Sequence, residues 1–147
     1  MPAWTERQRQ AITARNPEIL VSAAAGSGKT AVLIQRVMSL LEEGLQLDRM
    51  LVVTFTHAAA DEMKERLTEL LSAAAQDSAH LRAQFSLLGR ADISTLHSFC
   101  MRLLRTHFQA ADTDPLSKMA DEALARELFD QALDQALDAF HEAPTEE

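Results

Sequence analysis

One stretch of the chain combines small residues with a lysine and a hydroxyl side chain. It reads Ala23-Ala24-Ala25-Gly26-Ser27-Gly28-Lys29-Thr30. Small residues let consecutive backbone N–H groups curve around a phosphate, and the helix that follows adds the positive end of its dipole. The Lys29 ammonium can reach β- and γ-phosphates, and the Thr30 hydroxyl can bind Mg²⁺. The pattern therefore predicts a P-loop for a nucleoside triphosphate with Mg²⁺.

The first position of this loop is Ala23, where the strict pattern has glycine. Alanine is acceptable there provided that its backbone is not left-handed. The alternative, a flexible Gly-Ser turn beside an unrelated lysine, is disfavoured because a short apolar run precedes the loop and a helical pattern follows it.

A glutamine lies upstream of the loop, at Gln8 in the pattern Thr5-x-x-Gln8. A glutamine side chain offers one acceptor and one two-proton donor, which match the paired donor and acceptor on the edge of adenine. We therefore consider Gln8 as the residue that selects ATP. Taken alone, the pattern equally describes a surface glutamine on a short helix that begins at Thr5 with a capping box.

Two further polar clusters follow apolar runs that resemble strands. The candidate residues are Thr54, Phe55, Thr56 and His57 in the first cluster, and Thr95, His97 and Ser98 in the second. The carboxyl ends of parallel strands are where open α/β sheets bind ligands. An aromatic ring there can stack on a base, and hydroxyls and helix N-termini can hold phosphates. Phe55 is equally well read as a core residue, and His97 with Cys100 supplies too few ligands for zinc.

The elements that must position these clusters alternate between strand and helix. We expect strands at residues 19–21, 51–55 and 92–95, and helices at 5–15, 29–43, 58–75, 78–88, after Thr95, and at 121–141. This alternation predicts an α/β fold with a parallel sheet flanked by helices. Asp114-Pro115 breaks the chain, so we predict one domain over residues 1–113 and the start of a helical insertion over 114–147.

Composition indicates a globular chain. The 147 residues are 47% hydrophobic and 24% charged, and no apolar run approaches the roughly 20 residues of a membrane span. The net charge is −8, but eleven acidic and only two basic residues follow Ala111. The remainder is close to neutral, so nucleic-acid binding is not excluded. A single cysteine and the absence of a signal-peptide pattern predict a reduced, cytoplasmic protein.

In order and spacing, these motifs resemble the first motor domain of superfamily 1A DNA helicases, the UvrD/Rep/RecB group. Residues 21–33, 86–100 and 114–121 are most similar to the AddA family of bacterial helicase–nucleases. The resemblance implies a RecA-like P-loop NTPase domain in which Gln8 reads adenine and the P-loop holds ATP and Mg²⁺. It also implies that the two strand-end clusters contact single-stranded DNA. His57 departs from the family, which commonly has asparagine there.

Other parts of a helicase–nuclease are missing from the sequence. We find no apolar strand that ends in Asp-Glu, no second motor domain and no nuclease carboxylate cluster, since Asp61-Glu62 and Asp121-Glu122 fall on predicted helices. The resemblance implies a motor fragment of a DNA double-strand-break repair enzyme with an AddB-like partner. Alternatives are a UvrD/Rep-type helicase without nuclease, a non-catalytic nucleotide-binding fragment, a small P-loop kinase, and an interaction domain that uses the acidic C-terminal helix.

Overall fold

The computed structural model describes residues 4–142, which fall into two compact units divided between Cys100 and Met101. Its helices are α1 (Glu6–Thr13), α2 (Lys29–Glu42), α3 (His57–Ala74), α4 (Ala79–Ser86), α5 (Leu96–Thr106) and α6 (Glu122–Glu142). Its strands are β1 (Leu51–Thr54) and β2 (Asp92–Thr95), and short 3₁₀ turns occupy Leu47–Arg49 and Leu88–Arg90. The predicted helical pattern is therefore confirmed with shifts of one or two residues at most ends, while residues 143–147 of the predicted insertion lie outside the described residues.

Helix α2 follows the phosphate-loop motif and supplies much of the core. Four of its buried side chains lie on one face and join the main core, as an amphipathic helix requires: Ile34, Val37, Met38 and Leu41. Val32 is also buried but lies on the opposite side of the helix, outside that core cluster. The helix ends in a Schellman motif, because the Gly44 N–H donates to the Leu41 carbonyl at 3.0 Å and the Leu45 N–H donates to the Leu40 carbonyl at 3.1 Å. Gly44 has φ +99°, which explains why a glycine ends this helix.

The two strands form a parallel sheet in which Thr54 lies opposite Thr95. Both strands therefore end at the same edge, as predicted. Below the sheet, the most deeply buried side chains come from α2, the first 3₁₀ turn and α3: Leu41, Leu47, Leu67 and Leu71. Ile93 of β2 joins this core, and Val52 of β1 packs against it, whereas Leu51 and Val53 point to the other face and are exposed.

The strand predicted at residues 19–21 is not formed. Among the described residues the sheet has two strands only, β1 and β2, so no neighbouring strand pairs with this segment. A strand is stabilised by hydrogen bonds to a neighbour and by cover for its side chains. Leu20 is 96% exposed, and a cavity of about 280 Å³ lies between the segment and α1. The segment has the apolar pattern of a strand, but residues 4–142 provide no partner for it.

The second unit contains the end of α5, a connection and α6. Asp121 caps α6, since its carboxylate accepts from the Leu124 N–H at 2.8 Å. All side chains from Glu122 to His141 are exposed, and six of them are large and apolar: Leu124, Leu128, Phe129, Leu133, Leu137 and Phe140. None of the helices described is long and apolar enough to cross a membrane.

Candidate functional site

The backbone of the phosphate loop needs glycine at two of its positions. Gly26 has φ +74° and Gly28 has φ +81°, and L side chains are strained in this region. Ala23 meets the condition set for it, because Asp112 is the only non-glycine residue with positive φ among residues 4–142. The loop turns back on itself through a bond from the Ser27 N–H to the Ala24 carbonyl at 3.3 Å.

Helix α2 begins inside the motif and presents its N-terminus to the loop. Gly28 is the N-cap, and the first helical bond runs from the Val32 N–H to the Gly28 carbonyl at 2.9 Å. The N–H groups of the first turn are consequently left without acceptors in the helix. The Lys29 ammonium folds over the loop and donates to the carbonyls of Ala23 at 2.9 Å and Ala24 at 2.8 Å. An ammonium has three donors, so one remains for a ligand.

A cavity of about 280 Å³ opens at this helix start. Its lining combines loop residues with two charged side chains of α3: Gly26, Gly28, Lys29, Thr30, Ala31, Glu62 and Arg66. Glu62 and Arg66 form an ion pair at 2.6 Å and are each about half exposed. Sequence reasoning did not assign these two residues to the site. The Glu-to-Arg spacing of four on one helix indicates an ion pair, but no sequence pattern shows that the pair faces the loop.

Gln8 lies directly against the phosphate loop. Its amide nitrogen donates to the Ser27 carbonyl at 3.2 Å, and a Cβ added to Gly28 would lie 3.6 Å from the same nitrogen. Its carbonyl oxygen accepts from the Thr5 N–H at 2.9 Å, which completes the predicted capping box. The amide keeps one N–H and one lone pair free, and a nucleobase edge needs one of each.

The two strand-end clusters lie side by side at the edge where β1 and β2 end. Thr56 caps α3 by accepting from the Ala59 N–H at 3.2 Å, and the Thr54 hydroxyl donates to the Thr56 carbonyl at 2.9 Å. In the second cluster the Thr95 hydroxyl donates to Ser98 Oγ at 2.9 Å and accepts from the Ser98 N–H at 3.2 Å. Each strand therefore turns into a helix through a threonine.

These side chains differ in their exposure. Phe55 is fully exposed, so the reading of Phe55 as a core residue is wrong for the described part of the chain. Thr56, His57 and His97 are also exposed, whereas Thr54 and Ser98 are half-buried. Thr95 is only 4% exposed. Six of the seven predicted contacts therefore reach the surface at least in part, and the buried Thr95 holds Ser98 from beneath.

No cluster suited to a metal ion occurs between residues 4 and 142. Among those residues, no three histidine, cysteine, aspartate or glutamate side chains come together in a way that could hold one. Thr30 lines the phosphate-loop cavity, and a hydroxyl oxygen is a ligand type that Mg²⁺ accepts.

Comparisons with known proteins identify the family to which the chain belongs. The family described as UvrD/REP helicase N-terminal domain matches residues 4–146. Proteins named as the AddA component of an ATP-dependent helicase/nuclease are similar to nearly the whole chain. The one from Heliobacterium modesticaldum is 49% identical over 144 residues, covering 96% of this chain and 10% of that protein. The one from Bacillus pumilus is 47% identical over 146 residues, covering 95% and 12%.

A third relative of the same name, from Geobacillus thermodenitrificans, is 50% identical over 141 residues, which is 92% of this chain and 11% of that protein. The chain thus spans about a tenth of the length of the relatives it matches. The family match extends over more than half of the chain. This chain belongs to the UvrD/REP helicase N-terminal domain family.

Proposed function

We propose that the chain is the ATP-binding part of a DNA helicase motor, in which one compact unit holds both a nucleotide and single-stranded DNA. One observation supports this most. The same compact unit contains the phosphate loop, with Gln8 in contact with it, and the exposed Phe55 at the end of β1. A RecA-like motor fold for this unit and a helical insertion that begins near Asp114 belong to the same proposal.

The nucleotide is ATP with Mg²⁺. Backbone N–H groups of Ala24, Ala25, Gly26, Ser27 and Gly28, together with the start of α2, surround the β-phosphate. Lys29 supplies positive charge to the β- and γ-phosphates through its remaining donor. Thr30 binds the Mg²⁺ that arrives with the nucleotide. Gln8 hydrogen-bonds to the adenine edge with the donor and acceptor that its amide keeps free.

Single-stranded DNA lies along the edge where the two strands end. The Phe55 ring stacks on a base, which binds any sequence because every base has a flat face. Hydroxyl, imidazole and backbone donors near the starts of α3 and α5 contact phosphates: Thr54, Thr56, His57, His97 and Ser98. Thr95 is buried and orients Ser98 through a hydrogen bond between the two hydroxyls. With this edge, ATP binding and hydrolysis drive translocation along the strand.

The complete protein, in this proposal, is a cytoplasmic helicase–nuclease that processes DNA double-strand breaks for homologous recombination and pairs with an AddB-like protein. The relatives support this through their name, which describes one component of an ATP-dependent helicase/nuclease, and through their much greater length. The chain spans about a tenth of the length of these relatives, and we expect these 147 residues by themselves to hydrolyse ATP negligibly.

Two substitutions in the full-length protein test the proposal. Lys29→Ala should abolish most ATP affinity and leave single-stranded DNA binding intact. Phe55→Ala should weaken single-stranded DNA binding and leave ATP affinity intact. ATP binding is measured by calorimetry and DNA binding by fluorescence anisotropy. A small kinase would bind no single-stranded DNA in any form, and in an interaction domain neither substitution would change the affinity for ATP or for DNA. Either result would contradict a helicase motor.

A further inference from the structure

Helix α1, which carries Gln8, is short and has little hydrophobic anchorage. It contains eight residues, and Ile12 is the only one of them that is buried. A helix of this length is marginal by itself in water. Its position beside the phosphate loop must therefore depend on other contacts as well, and these include polar bonds to α2.

Arg36 of α2 binds the C-terminal end of α1. Its Nη1 donates to the carbonyls of Ala11 at 2.8 Å and Ala14 at 2.7 Å, with a longer contact to Ile12 at 3.4 Å. The last carbonyls of a helix lack partners within the helix, and a cation is favourable at that end of its dipole. Arg36 is half-buried, so these bonds are shielded from water in part.

Arg15 closes the same end of α1 from the other side. Its Nη1 donates to the carbonyls of Ile12 at 2.8 Å and Ala14 at 3.0 Å, while Nη2 donates to Ser39 Oγ at 2.6 Å. Its Nε donates to Glu43 at 2.8 Å, and Nη2 binds the second oxygen of that carboxylate. This bidentate pairing of Arg15 with Glu43 has a specific geometry. The end of α1 is thereby tied to two successive turns of α2.

We propose that Arg36, supported by Arg15, is a positioning residue for nucleobase recognition. Gln8 lies one helical turn before Ala11, and its amide contacts the loop that starts α2. Since α1 moves as one body, release of its C-terminal carbonyls would shift the Gln8 amide, and a hydrogen bond tolerates only a few tenths of an ångström. This inference rests on the proposed reading of adenine by Gln8.

The test compares ATP and GTP affinities of the full-length protein. Arg36→Met removes the guanidinium and keeps an apolar stem, and it should weaken ATP binding about tenfold, the equivalent of one or two hydrogen bonds to the base. GTP binding should change less than about twofold, because the loop and Lys29 are untouched. The preference for ATP over GTP therefore falls. The rate constant kcat at saturating ATP should stay close to wild type, while KM rises.

Arg36→Lys is the conservative control. All three contacts of Arg36 use the single atom Nη1, whose two hydrogens serve mainly the shorter bonds to Ala11 and Ala14, and an ammonium likewise presents several donors from one atom. Lysine should restore most of the ATP preference. If Arg36→Met does not fold, Arg15→Gln provides the second variant, because it weakens the same attachment at an exposed position and should lower the preference by a smaller factor.

Gln8→Ala separates the inference from the proposed function. If Gln8→Ala lowers the ATP preference and Arg36→Met weakens ATP and GTP binding equally, Arg36 is only structural and the inference is overturned, while the adenine reading stands. If Gln8→Ala leaves the preference unchanged, the adenine reading fails first and the inference with it. The double variant Gln8→Ala/Arg36→Met should be no less selective than Gln8→Ala alone, since both changes act on one contact.

Discussion

Replacement of Phe55 by alanine should separate DNA binding from folding. The ring is fully exposed, so its loss removes no apolar surface from the core, and the free energy of unfolding should change by less than about 0.5 kcal/mol. Stacking of a base on an aromatic ring contributes about 1–3 kcal/mol. At about 1.4 kcal/mol per factor of ten, the dissociation constant for single-stranded DNA should rise roughly 5- to 150-fold.

The salt dependence of binding makes this test specific. Anisotropy of a labelled oligothymidylate, titrated with the full-length protein at several salt concentrations, gives the slope of log affinity against log salt. That slope reports phosphate contacts, and the Phe55 ring carries no charge. In a plot of log affinity against log salt concentration, Phe55→Ala should therefore have the same slope as the wild type and a lower affinity at every salt concentration.

Two further variants at this position identify the interaction. Phe55→Tyr keeps a stacking ring and should bind single-stranded DNA like the wild type. Phe55→Leu keeps apolar volume without a ring, and its affinity for DNA should be nearly as low as that of Phe55→Ala. Equal affinity of the wild type and Phe55→Ala would refute the stacking role. A drop of more than about 1 kcal/mol in the free energy of unfolding would show instead that the ring packs in the folded protein.

Four other outcomes follow from the structure. Arg66→Met removes a second cation from the phosphate-loop cavity and should weaken ATP binding about three- to tenfold in calorimetry; unchanged affinity would place Arg66 outside the site. Gly44→Ala has open space around it but φ +99°, so strain alone should cost about 1–2 kcal/mol in urea unfolding, and no loss would mean that the turn relaxes. Leu67→Ala, at a fully buried position, should cost about 2–5 kcal/mol in the same assay, and a cost near zero would contradict the core. The Arg15 guanidinium hydrogen-bonds to Glu43 and lowers the pKa of that carboxyl below its ordinary 4.5. The pair therefore stabilises the fold above that pH, and its contribution is lost as pH falls through the lowered pKa. Glu43→Gln should remove this part of the acid sensitivity, measured by urea unfolding at about pH 7 and about pH 3, and an identical pH dependence in the variant would exclude it.

The helices and the parallel sheet could be predicted because their causes are local. A few neighbouring residues are enough to recognise the capping box of Thr5 and Gln8, the glycine that ends α2 and the β-branched run of β1. The fold class and the order of elements follow from them. Residues 19–21 show the limit, since their strand pattern is equally local but a strand also needs a neighbour to pair with.

The candidate site also contains some residues that could be predicted from the sequence and others that could not. The phosphate loop could be located from sequence because its chemistry requires contiguous small residues. The contribution of Glu62 and Arg66 could not, because it depends on how α3 packs against α2. For Phe55, the pattern left the choice between core and surface open, and the full exposure of its side chain in the described part of the chain decides for the surface.

Helix α3 touches both candidate sites. Its N-cap, Thr56, follows Phe55 at the strand edge, and Arg66 lines the phosphate-loop cavity ten residues later, about 15 Å along the axis. An unbroken helix is stiff over three turns, so a small displacement at Arg66 arrives almost undiminished at Thr56. In the proposed motor, a change at the terminal phosphate that displaces Arg66 would therefore displace the residues beside Phe55 through one helix, with no chain of side-chain contacts between the two sites.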